Sequence, residues 1–353
     1  MLIIRPSALG DVCRSVALAA SVRAAWPSAR VTWLVQDSFA DAVRCHPCVD
    51  EVLAFPRGAF RQWWRPNVAA SARRWFAALK GRFDVAIDAQ GLGRSGLMAW
   101  STRAPRRIGF RDARELGWLG VNERYAVDAT HSVDRMLGLL EAAGIEPRVD
   151  MRLVAPPECV AWWEAERARR AIGAYAVCAP TSRWASKDWP SERWAALAPR
   201  LLERGVERVV YLGTKAESDA VRRAMPSGDA SERCVDLSGA TTVGQSMAVI
   251  AGADLVVAND SAPLHIAVGF ERPLVALFGP TDPAKVGPYR RESTVLRSDE
   301  AARFTGSYRD PSIGDRLMRG ISVDDVLAAI DQGRAAPPAA TTSREGHQRG
   351  LVA

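Results

Sequence analysis

The sequence predicts an α/β protein made of two doubly wound domains with parallel sheets, which face each other across a cleft. Three observations predict this class. Apolar runs of strand length alternate with helical periods along the chain. The proline-rich stretch 145–157 divides this alternation into two series. Polar turns follow several of the apolar runs, which is typical of strand ends that bind ligands in an open sheet.

The first series covers residues 1–157 and is expected to form one doubly wound domain. A tight turn at Ser7–Asp11 leads from the first strand into an amphipathic helix. A later helix, His131–Ala143, precedes the linker between the two series. The predicted strands are Leu2–Arg5, Val31–Val35, Glu51–Ala54 and Asp84–Asp88.

The second series covers residues 158–334 and is expected to form the other domain, which the helix Ser322–Asp331 closes. The predicted strands are Ala174–Ala179, Arg208–Gly213, Asp254–Ala258 and Pro273–Phe278. After Gly333 the composition changes to Ala, Pro, Thr, Ser and Gly, so residues 335–353 are expected to be a disordered tail.

The composition is typical of a globular protein without a membrane span. No apolar run reaches the roughly 18 residues that a span needs. Met1 leads directly into a strand rather than into an export signal, so a cytoplasmic protein with free thiols is expected. Cys45-His46-Pro47-Cys48 could belong to a redox or metal site, but no second Cys/His pair completes one, and a plain loop is favoured.

Positive charge is concentrated in the first series and predicts an anionic partner. The segment Pro56–Arg82 has seven basic residues and no acidic one, with Trp63, Trp64 and Trp75 among them, and Arg103–Arg114 carries a second cluster. This pattern fits nucleic acid, an anionic membrane surface or a phosphorylated substrate, and it also fits a solvated helical face. Because no nucleic-acid-binding motif is present, nucleic acid is the weakest of these candidates.

The polar turns of the second series predict a nucleotide site. The strand before Asn259 leads into a helix for which Asp260 is the expected N-cap, with Ser261 in its first turn. The free N–H groups at such a helix start bind phosphate. His265 lies one turn inside this helix, where a functional and a structural role are equally expected. A second strand-end loop, Phe278–Pro283, follows the next strand.

Two further strand ends of the second series carry groups that suit a nucleoside diphosphate. The hydroxyls of Thr181 and Ser182 and the ammonium of Lys187 suit a pyrophosphate, although an ordinary polar loop has the same composition. The turn Gly213–Glu217 ends the next strand and is a candidate for contact with a ribose or base.

Two turns of the first series are candidates for an acceptor site. Asp11 closes the first strand-to-helix turn, where a carboxylate either faces a ligand or caps the helix. The turn Asp88–Ser95 is either a binding turn or a glycine-rich turn without further role. The chain has no dinucleotide fingerprint, no P-loop and no Asp-x-Asp pair for a divalent metal, so neither metal nor cofactor is expected.

Together these motifs resemble glycosyltransferase family 9, the ADP-heptose:lipopolysaccharide heptosyltransferases, from residue 1 to about residue 330. Within that family they are most similar to heptosyltransferase I. The resemblance rests on Ser7–Val12, Asp88–Ser95 with Arg107–Phe110, Thr181-Ser182 with Lys187–Pro190, Asp260-Ser261 with His265, and Phe278–Pro283 with Gly287–Tyr289.

The resemblance implies a GT-B fold with an N-terminal acceptor domain, a C-terminal donor domain and a metal-independent inverting transfer. It implies Asp11 as the general base and Lys187 as the second catalytic residue. The other implied contacts are Thr181, Ser182, Asp260, Ser261, Ala262 and His265 for the donor phosphates, Gly213, Lys215, Glu217 and Thr281 for the nucleoside, and Arg57, Arg61, Gln90 and Arg94 for the acceptor. The implied partners are ADP-heptose, an anionic lipid or glycan acceptor and the inner membrane as a peripheral contact, without nucleic acid.

The sequence departs from the family pattern at three positions. Ala262 stands where glycine is common, Arg94 stands where heptosyltransferase I has lysine, and Lys215 lies where an acidic residue is usual, with Glu217 two positions later. Alternatives to heptosyl transfer therefore stay open: transfer from another nucleotide sugar, an epimerase or hydrolase on the same fold, or a non-catalytic protein that binds nucleotide sugars or anionic glycans.

Overall fold

The computed structural model describes residues 1–62, 64–333 and 335–336, and within them the strands form two parallel six-stranded sheets. The first sheet has the order β3-β2-β1-β4-β5-β6 and the second the order β12-β11-β10-β7-β8-β9. The strands are Leu2–Ile4 (β1), Thr32–Gln36 (β2), Glu51–Phe55 (β3), Val85–Asp88 (β4), Arg106–Phe110 (β5), Glu123–Tyr125 (β6), Tyr175–Ala179 (β7), Arg208–Tyr211 (β8), Cys234–Asp236 (β9), Leu255–Asn259 (β10), Leu274–Phe278 (β11) and Val295–Arg297 (β12).

Helices connect the strands of each sheet. Those of the N-terminal half are Leu9–Cys13 (α1), Ala17–Ala25 (α2), Pro66–Ala77 (α3), Gly93–Thr102 (α4) and Ser132–Ala142 (α5), with 3₁₀ helices at Asp37–Ala42 and Gly117–Gly120.

The C-terminal half has more and shorter helices. The α-helices are Pro157–Arg170 (α6), Ser191–Leu202 (α7), Ser218–Ala224 (α8), Val243–Ala251 (α9), Ala262–Gly269 (α10), Pro283–Val286 (α11), Asp299–Ala302 (α12), Gly314–Arg319 (α13) and Val323–Asp331 (α14). The 3₁₀ helices are Ala185–Lys187, Lys215–Glu217, Gly228–Arg233, Glu292–Thr294 and Pro311–Ile313.

Both sheets have the same doubly wound topology, and each has one point where the strand order reverses. In the first sheet this point lies between β1 and β4, and in the second it lies between β7 and β10. Ligands of open parallel sheets bind outside the carboxyl ends of the strands at this point. The predicted pair of doubly wound sheets is therefore confirmed, and the topology places Asp11, Gln90, Lys187 and Asp260 after the relevant strands.

The central strands are apolar because helices cover both faces of each sheet. Leu2, Ile3 and Ile4 of β1 have no exposed surface, and Ile3 lies in register with Trp33 and Ile87 on the neighbouring strands. One cluster of buried apolar side chains continues from the first sheet through α5 to α10 of the second half. The two halves therefore share part of their hydrophobic core.

The segment between the two halves is packed rather than free. The Leu153 N–H donates to the carbonyl of Gly269 at the end of α10 (2.9 Å), and α6 begins at Pro157. The predicted tail falls largely outside the described residues. Within it, however, Ala335 is buried and its carbonyl accepts from the Leu274 N–H (2.7 Å).

Across the residues that the structure describes, none of the helices combines the length and the apolar character that crossing a membrane would require.

The contact between α4 and the 3₁₀ helix Gly117–Gly120 gives a test of the packing. A Cβ atom at Gly96 would overlap the carbonyl of Gly117. Backbone atoms cannot yield as a side chain does, so Gly96→Ala should lower the free energy of unfolding by about 1–3 kcal/mol in urea denaturation. Gly58→Ala is the matched control, because no atom lies within 4 Å of that Cβ position. Equal stability of the two variants would contradict this packing.

Candidate active site

The two halves meet where α1 contacts the start of α10. A Cβ atom at Gly10 would lie 2.8 Å from Cδ2 of His265 and 3.4 Å from the Cα of Ala262. Only glycine fits at this approach without displacing the imidazole. Residues that follow β1 and residues that follow β10 are therefore held side by side in one site.

Asp11 lies in the first turn of α1 between two arginines. Its Oδ2 is 3.3 Å from Nη2 of Arg5, and its Oδ1 is paired with the guanidinium of Arg14. The Ala8 N–H also donates to Oδ2 (3.3 Å). Burial would raise the pKa of Asp11, but the charges of Arg5 and Arg14 outweigh it and hold the pKa well below its usual range. The carboxylate is therefore ionised at any physiological pH.

Lys187 lies across the site at the end of a short 3₁₀ helix and is paired with Asp260. Its Nζ is 2.6 Å from Oδ2 of Asp260, and both side chains are largely buried. The ring of Tyr308 lies 4.8 Å from the same Nζ. The ammonium is thus held in place by a charge and by an aromatic face.

The expected capping role of Asp260 is wrong. Ser261 occupies the N-cap position of α10, and its hydroxyl donates to the Asn259 carbonyl (3.2 Å) instead of accepting from the helix. Asp260 is drawn to Lys187, because a buried carboxylate gains more from an ammonium than from a backbone N–H. The first N–H groups of α10 consequently have no side-chain cap, as a phosphate-binding helix start requires.

Asn259 joins the two strand ends that carry these groups. Its Nδ2 donates to the Pro180 carbonyl (2.7 Å), and its Oδ1 accepts from the Trp189 N–H (3.3 Å). The residue is completely buried. It therefore fixes the loop that contains Thr181, Ser182 and Lys187 against the end of β10.

His265 lies inside the site rather than on a solvent face. It is buried, and this burial, followed by the charge of Arg14, lowers its pKa well below the usual value. The charges of Asp11 and Lys187 both act on its ring. The imidazole is therefore neutral, and the charges of both halves of the protein reach it.

The predicted phosphate and nucleoside residues lie at the ends of β7, β8 and β11. Thr181 is buried, and the Ser182 hydroxyl donates to the Trp184 carbonyl (2.8 Å). Glu217 accepts from the N–H (2.8 Å) and the hydroxyl (2.6 Å) of Thr214, so its carboxylate is used to start a 3₁₀ helix. Lys215 is exposed.

Gly213 and Thr281 complete this predicted set. A Cβ atom at Gly213 would lie 2.7 Å from Cγ2 of Val221 in α8, so the glycine lets this helix pack closely against the end of β8, and Oγ1 of Thr181 is within ordinary contact distance (3.5 Å). The Thr281 hydroxyl is buried and has no hydrogen-bond partner within the described part of the chain. Its hydrogen-bonding capacity is therefore available to a ligand.

The predicted acceptor residues do not form one group. The Ser7 N–H donates to Oε1 of Gln90 (3.2 Å), which brings the turn before Asp11 and the turn after β4 together. Arg94 is exposed in the first turn of α4. Arg57 and Arg61 are exposed beyond β3, where Nη1 of Arg57 donates to Gln36 (3.2 Å).

The tryptophans of the basic segment differ in their surroundings. Trp75 packs edge to face against Phe55 at 5.1 Å, whereas Trp64 is 65% exposed. Trp63 lies outside the described residues. Part of the predicted basic and aromatic surface is therefore hydrophobic core.

A cavity of about 350 Å³ opens beside Asp11 at the carboxyl edge of the first sheet. The Arg5 side chain, which is paired with Asp11, lines it, and the Ser132 hydroxyl on its wall is buried without a partner among the described residues. The other polar lining side chains are Gln90, Asp112, Arg114 and Arg135. The cavity is positively charged overall and polar, as a site for an anionic sugar should be.

Sequence reasoning missed several residues of the site. The pairing of Arg14 with Asp11 could have been predicted from the sequence, because the two residues are one helical turn apart. Arg5, Asn259 and Tyr308 gave no local signal, because their partners lie far away in the chain.

The Cys45–Cys48 motif takes no part in the site. Both cysteines are free thiols. Within residues 1–62, 64–333 and 335–336, no group of three His, Cys, Asp or Glu side chains is arranged to hold a metal ion.

Two doubly wound sheets whose carboxyl edges meet in one site have the architecture of the GT-B fold. The family model for glycosyltransferase family 9 (heptosyltransferase) matches residues 72–311. The chain belongs to this family and is a glycosyltransferase of the heptosyltransferase type.

Relatives of this family match most of the chain. It is 32% identical to lipopolysaccharide heptosyltransferase 1 of Pseudomonas aeruginosa, over 85% of this chain and 84% of the relative. It is 26% identical to lipopolysaccharide heptosyltransferase 1 of Escherichia coli K12, over 84% and 93%. The fold is similar to that of E. coli ADP-heptose lps heptosyltransferase II, with a TM-score of 0.76 and 23% identity over 94% of this chain and 98% of that one.

A further solved neighbour has the same fold. E. coli heptosyltransferase WaaC with ADP-2-deoxy-2-fluoro heptose superposes with a TM-score of 0.73 at 22% identity, over 94% of this chain and 99% of that one.

Asp188 gives a test of the buried electrostatics beside Lys187. Burial raises the pKa of Asp188 to about 7. The folded protein therefore binds a proton that the unfolded chain releases above about pH 4, and stability falls as pH rises from about 4 to 7. Asp188→Asn should remove this pH-dependent loss of stability. Its effect on the free energy of unfolding, relative to the unaltered protein, should therefore be about 1–2 kcal/mol more favourable at about pH 8 than at about pH 5.

Urea denaturation at the two pH values measures this difference. Asp37→Asn is a suitable control, because Asp37 is exposed. A pH-independent effect of Asp188→Asn would contradict the raised pKa.

Proposed function

We propose that the protein transfers heptose, with inversion and without a metal, from ADP-heptose to a phosphorylated lipopolysaccharide core or lipid A-type acceptor. The observation that supports this best is that the contact of α1 with α10 brings the turn that carries Asp11 against His265 and the uncapped helix start, beside the Lys187–Asp260 pair. The relatives named above carry lipopolysaccharide heptosyltransferase names, and one structural neighbour was solved with an ADP-heptose analogue.

In this proposal Asp11 is the general base. As the acceptor oxygen attacks the anomeric carbon from the face opposite the diphosphate, its proton passes to the Asp11 carboxylate. The two arginines make Asp11 a weak base that is always ionised. The proton then moves late, when the acceptor oxygen has bonded to carbon and become strongly acidic.

The opposite face of the site receives the leaving group. As the bond from the anomeric carbon to oxygen breaks, its electron pair remains on the diphosphate oxygen. Lys187 and the uncapped N–H groups of α10 stabilise this charge. Thr181, Ser182, Ser261, Ala262 and His265 complete the diphosphate contacts.

Local charges take the role that a divalent metal has in other transferases. Arg5 and Arg14 both pair with Asp11, and Lys187 pairs with Asp260, so the ion pairs of the site hold three cationic side chains and two carboxylates beside neutral histidine. Such a site attracts a diphosphate, and the helix start adds partial positive charge.

The remaining predicted residues are assigned to the acceptor and to the nucleoside of the donor. The acceptor enters through the cavity beside Asp11, where Gln90 borders the base. The nucleoside is assigned to Gly213, Lys215, Glu217 and Thr281, and the anionic part of the acceptor to Arg57, Arg61, Gln90 and Arg94.

Thermal stabilisation by nucleotides tests the donor. ADP and ADP-heptose should raise the melting temperature, UDP and GDP should not, and excess EDTA should leave the shift unchanged. A melting-temperature shift with UDP or GDP alone would indicate a different nucleotide-sugar donor. Loss of the ADP-induced shift in EDTA would contradict metal independence.

Substitution of Asp11 tests the base. Asp11→Asn should reduce kcat by roughly 10²–10⁴-fold and leave the ADP-induced thermal shift nearly intact, because the carboxylate acts on the acceptor proton. Transfer by the unaltered protein should stay constant down to about pH 5, since the Asp11 pKa is depressed. Loss of ADP binding in Asp11→Asn would contradict the base assignment.

Substitution of Lys187 tests the leaving-group assignment. Lys187→Ala should weaken ADP binding or slow transfer by at least about tenfold, because removing a charge-assisted contact costs about 1.5–3 kcal/mol. The double variant Lys187→Met/Asp260→Asn separates this loss from the instability of an unpaired buried carboxylate. Lys285→Ala is the control on an exposed lysine. Unaltered binding and transfer would remove Lys187 from the site.

A further inference from the structure

Four large apolar side chains lie exposed together on the N-terminal half. Leu97 and Trp100 of α4 are 47% and 43% exposed, and Leu116 and Leu119 are 64% and 55% exposed. Leu97 and Trp100 are three residues apart and therefore lie on one side of α4, whereas Leu116 directly precedes the 3₁₀ helix that contains Leu119. We name these four residues the apolar ridge.

A glycine seam joins the two elements that carry the ridge. A Cβ atom at Gly96 would overlap the Gly117 carbonyl, and one at Gly120 would overlap the Gly96 carbonyl. Backbone therefore packs directly on backbone between α4 and the 3₁₀ helix. The ridge residues stand beside this seam and form one continuous surface instead of separate exposed side chains.

Arginines flank the ridge. Arg94, Leu97, Trp100 and Arg103 follow one another at intervals of three, and all four are exposed. The Arg103 guanidinium lies 3.7 Å from the centroid of the Trp100 ring.

The segment that contains α4 has an excess of positive charge, although Arg106 within it is paired with Glu123. Residues 93–111 carry five arginines and no acidic residue. The Glu115 carboxylate, next to Leu116, accepts from the Gly93 N–H at the start of α4 (3.3 Å), and its single negative charge is outnumbered by Arg94 and Arg103. Two copies of this surface would repel each other, which argues against self-association.

We propose that the apolar ridge and its arginines dock on an anionic phospholipid bilayer. Leucine and tryptophan side chains enter the boundary between headgroups and acyl chains, and arginines meet the lipid phosphates. The ridge follows the acceptor cavity in the chain: Gly91 and Arg114 line the cavity and lead into α4 and Leu116. Docking therefore holds the cavity mouth at the membrane surface, which extends the proposed function without depending on it.

Co-sedimentation with vesicles tests the docking. The protein should bind vesicles of phosphatidylcholine with phosphatidylglycerol and bind phosphatidylcholine alone far more weakly. Leu97→Ser/Trp100→Ser/Leu119→Ser should weaken binding to the anionic vesicles at least about tenfold, because most of the inserted apolar area is lost. Val149→Ser/Val160→Ser is the matched control, because these valines are 42% and 41% exposed elsewhere and should not affect binding.

Two further measurements separate docking from other roles. Transfer to a short-chain, soluble acceptor and the ADP-induced thermal shift should be unchanged in the triple variant. Undiminished vesicle binding by the triple variant, or an equal loss of transfer to the soluble acceptor, would overturn the proposal. Light scattering that shows a dimer in the unaltered protein and a monomer in the triple variant would assign the ridge to self-association instead.

Discussion

The close approach of α1 to α10 is the constraint on which the rest of the site depends. Gly10 has no side chain, so the imidazole of His265 can lie against the backbone of the turn before Asp11. Both helices leave their sheets at the points where the strand order reverses. The same doubly wound order in both halves therefore brings two ligand-binding edges together, and a Cβ atom at residue 10 would displace the imidazole.

The charges of the site are arranged before any substrate is present. Asp11 is balanced by Arg5 and Arg14, and Lys187 by Asp260. Burying such ion pairs costs desolvation free energy, and they are retained where neighbouring groups hold both partners in position. Their value lies in orientation: dipoles and charges that are already aligned need no rearrangement when charge develops during a reaction.

The alternation of apolar runs predicted the fold class and the central strands, because parallel strands covered on both faces form continuous apolar runs. It did not predict β5, β6, β9 and β12, which are shorter or more polar. The strand-end loops predicted which residues lie at the carboxyl edges of the sheets, because topology alone places strand ends together. Predictions from local sequence failed where a residue distant in the chain competed for the same side chain. Asp260 has the residue type of a cap, but Lys187, far away in the chain, takes its carboxylate. The contacts of Arg5, Asn259 and Tyr308 and the cavity shape arise from tertiary packing, which no local pattern encodes.

The pairing of Lys187 with Asp260 also bears on how a catalytic cycle ends. A lysine without a resident partner would hold a departing nucleoside diphosphate as firmly as an arriving one. Here the Asp260 carboxylate lies 2.6 Å from Nζ and competes with every bound anion for the same ammonium. In the proposed reaction this competition would lower the affinity for the donor and speed the release of the nucleoside diphosphate product.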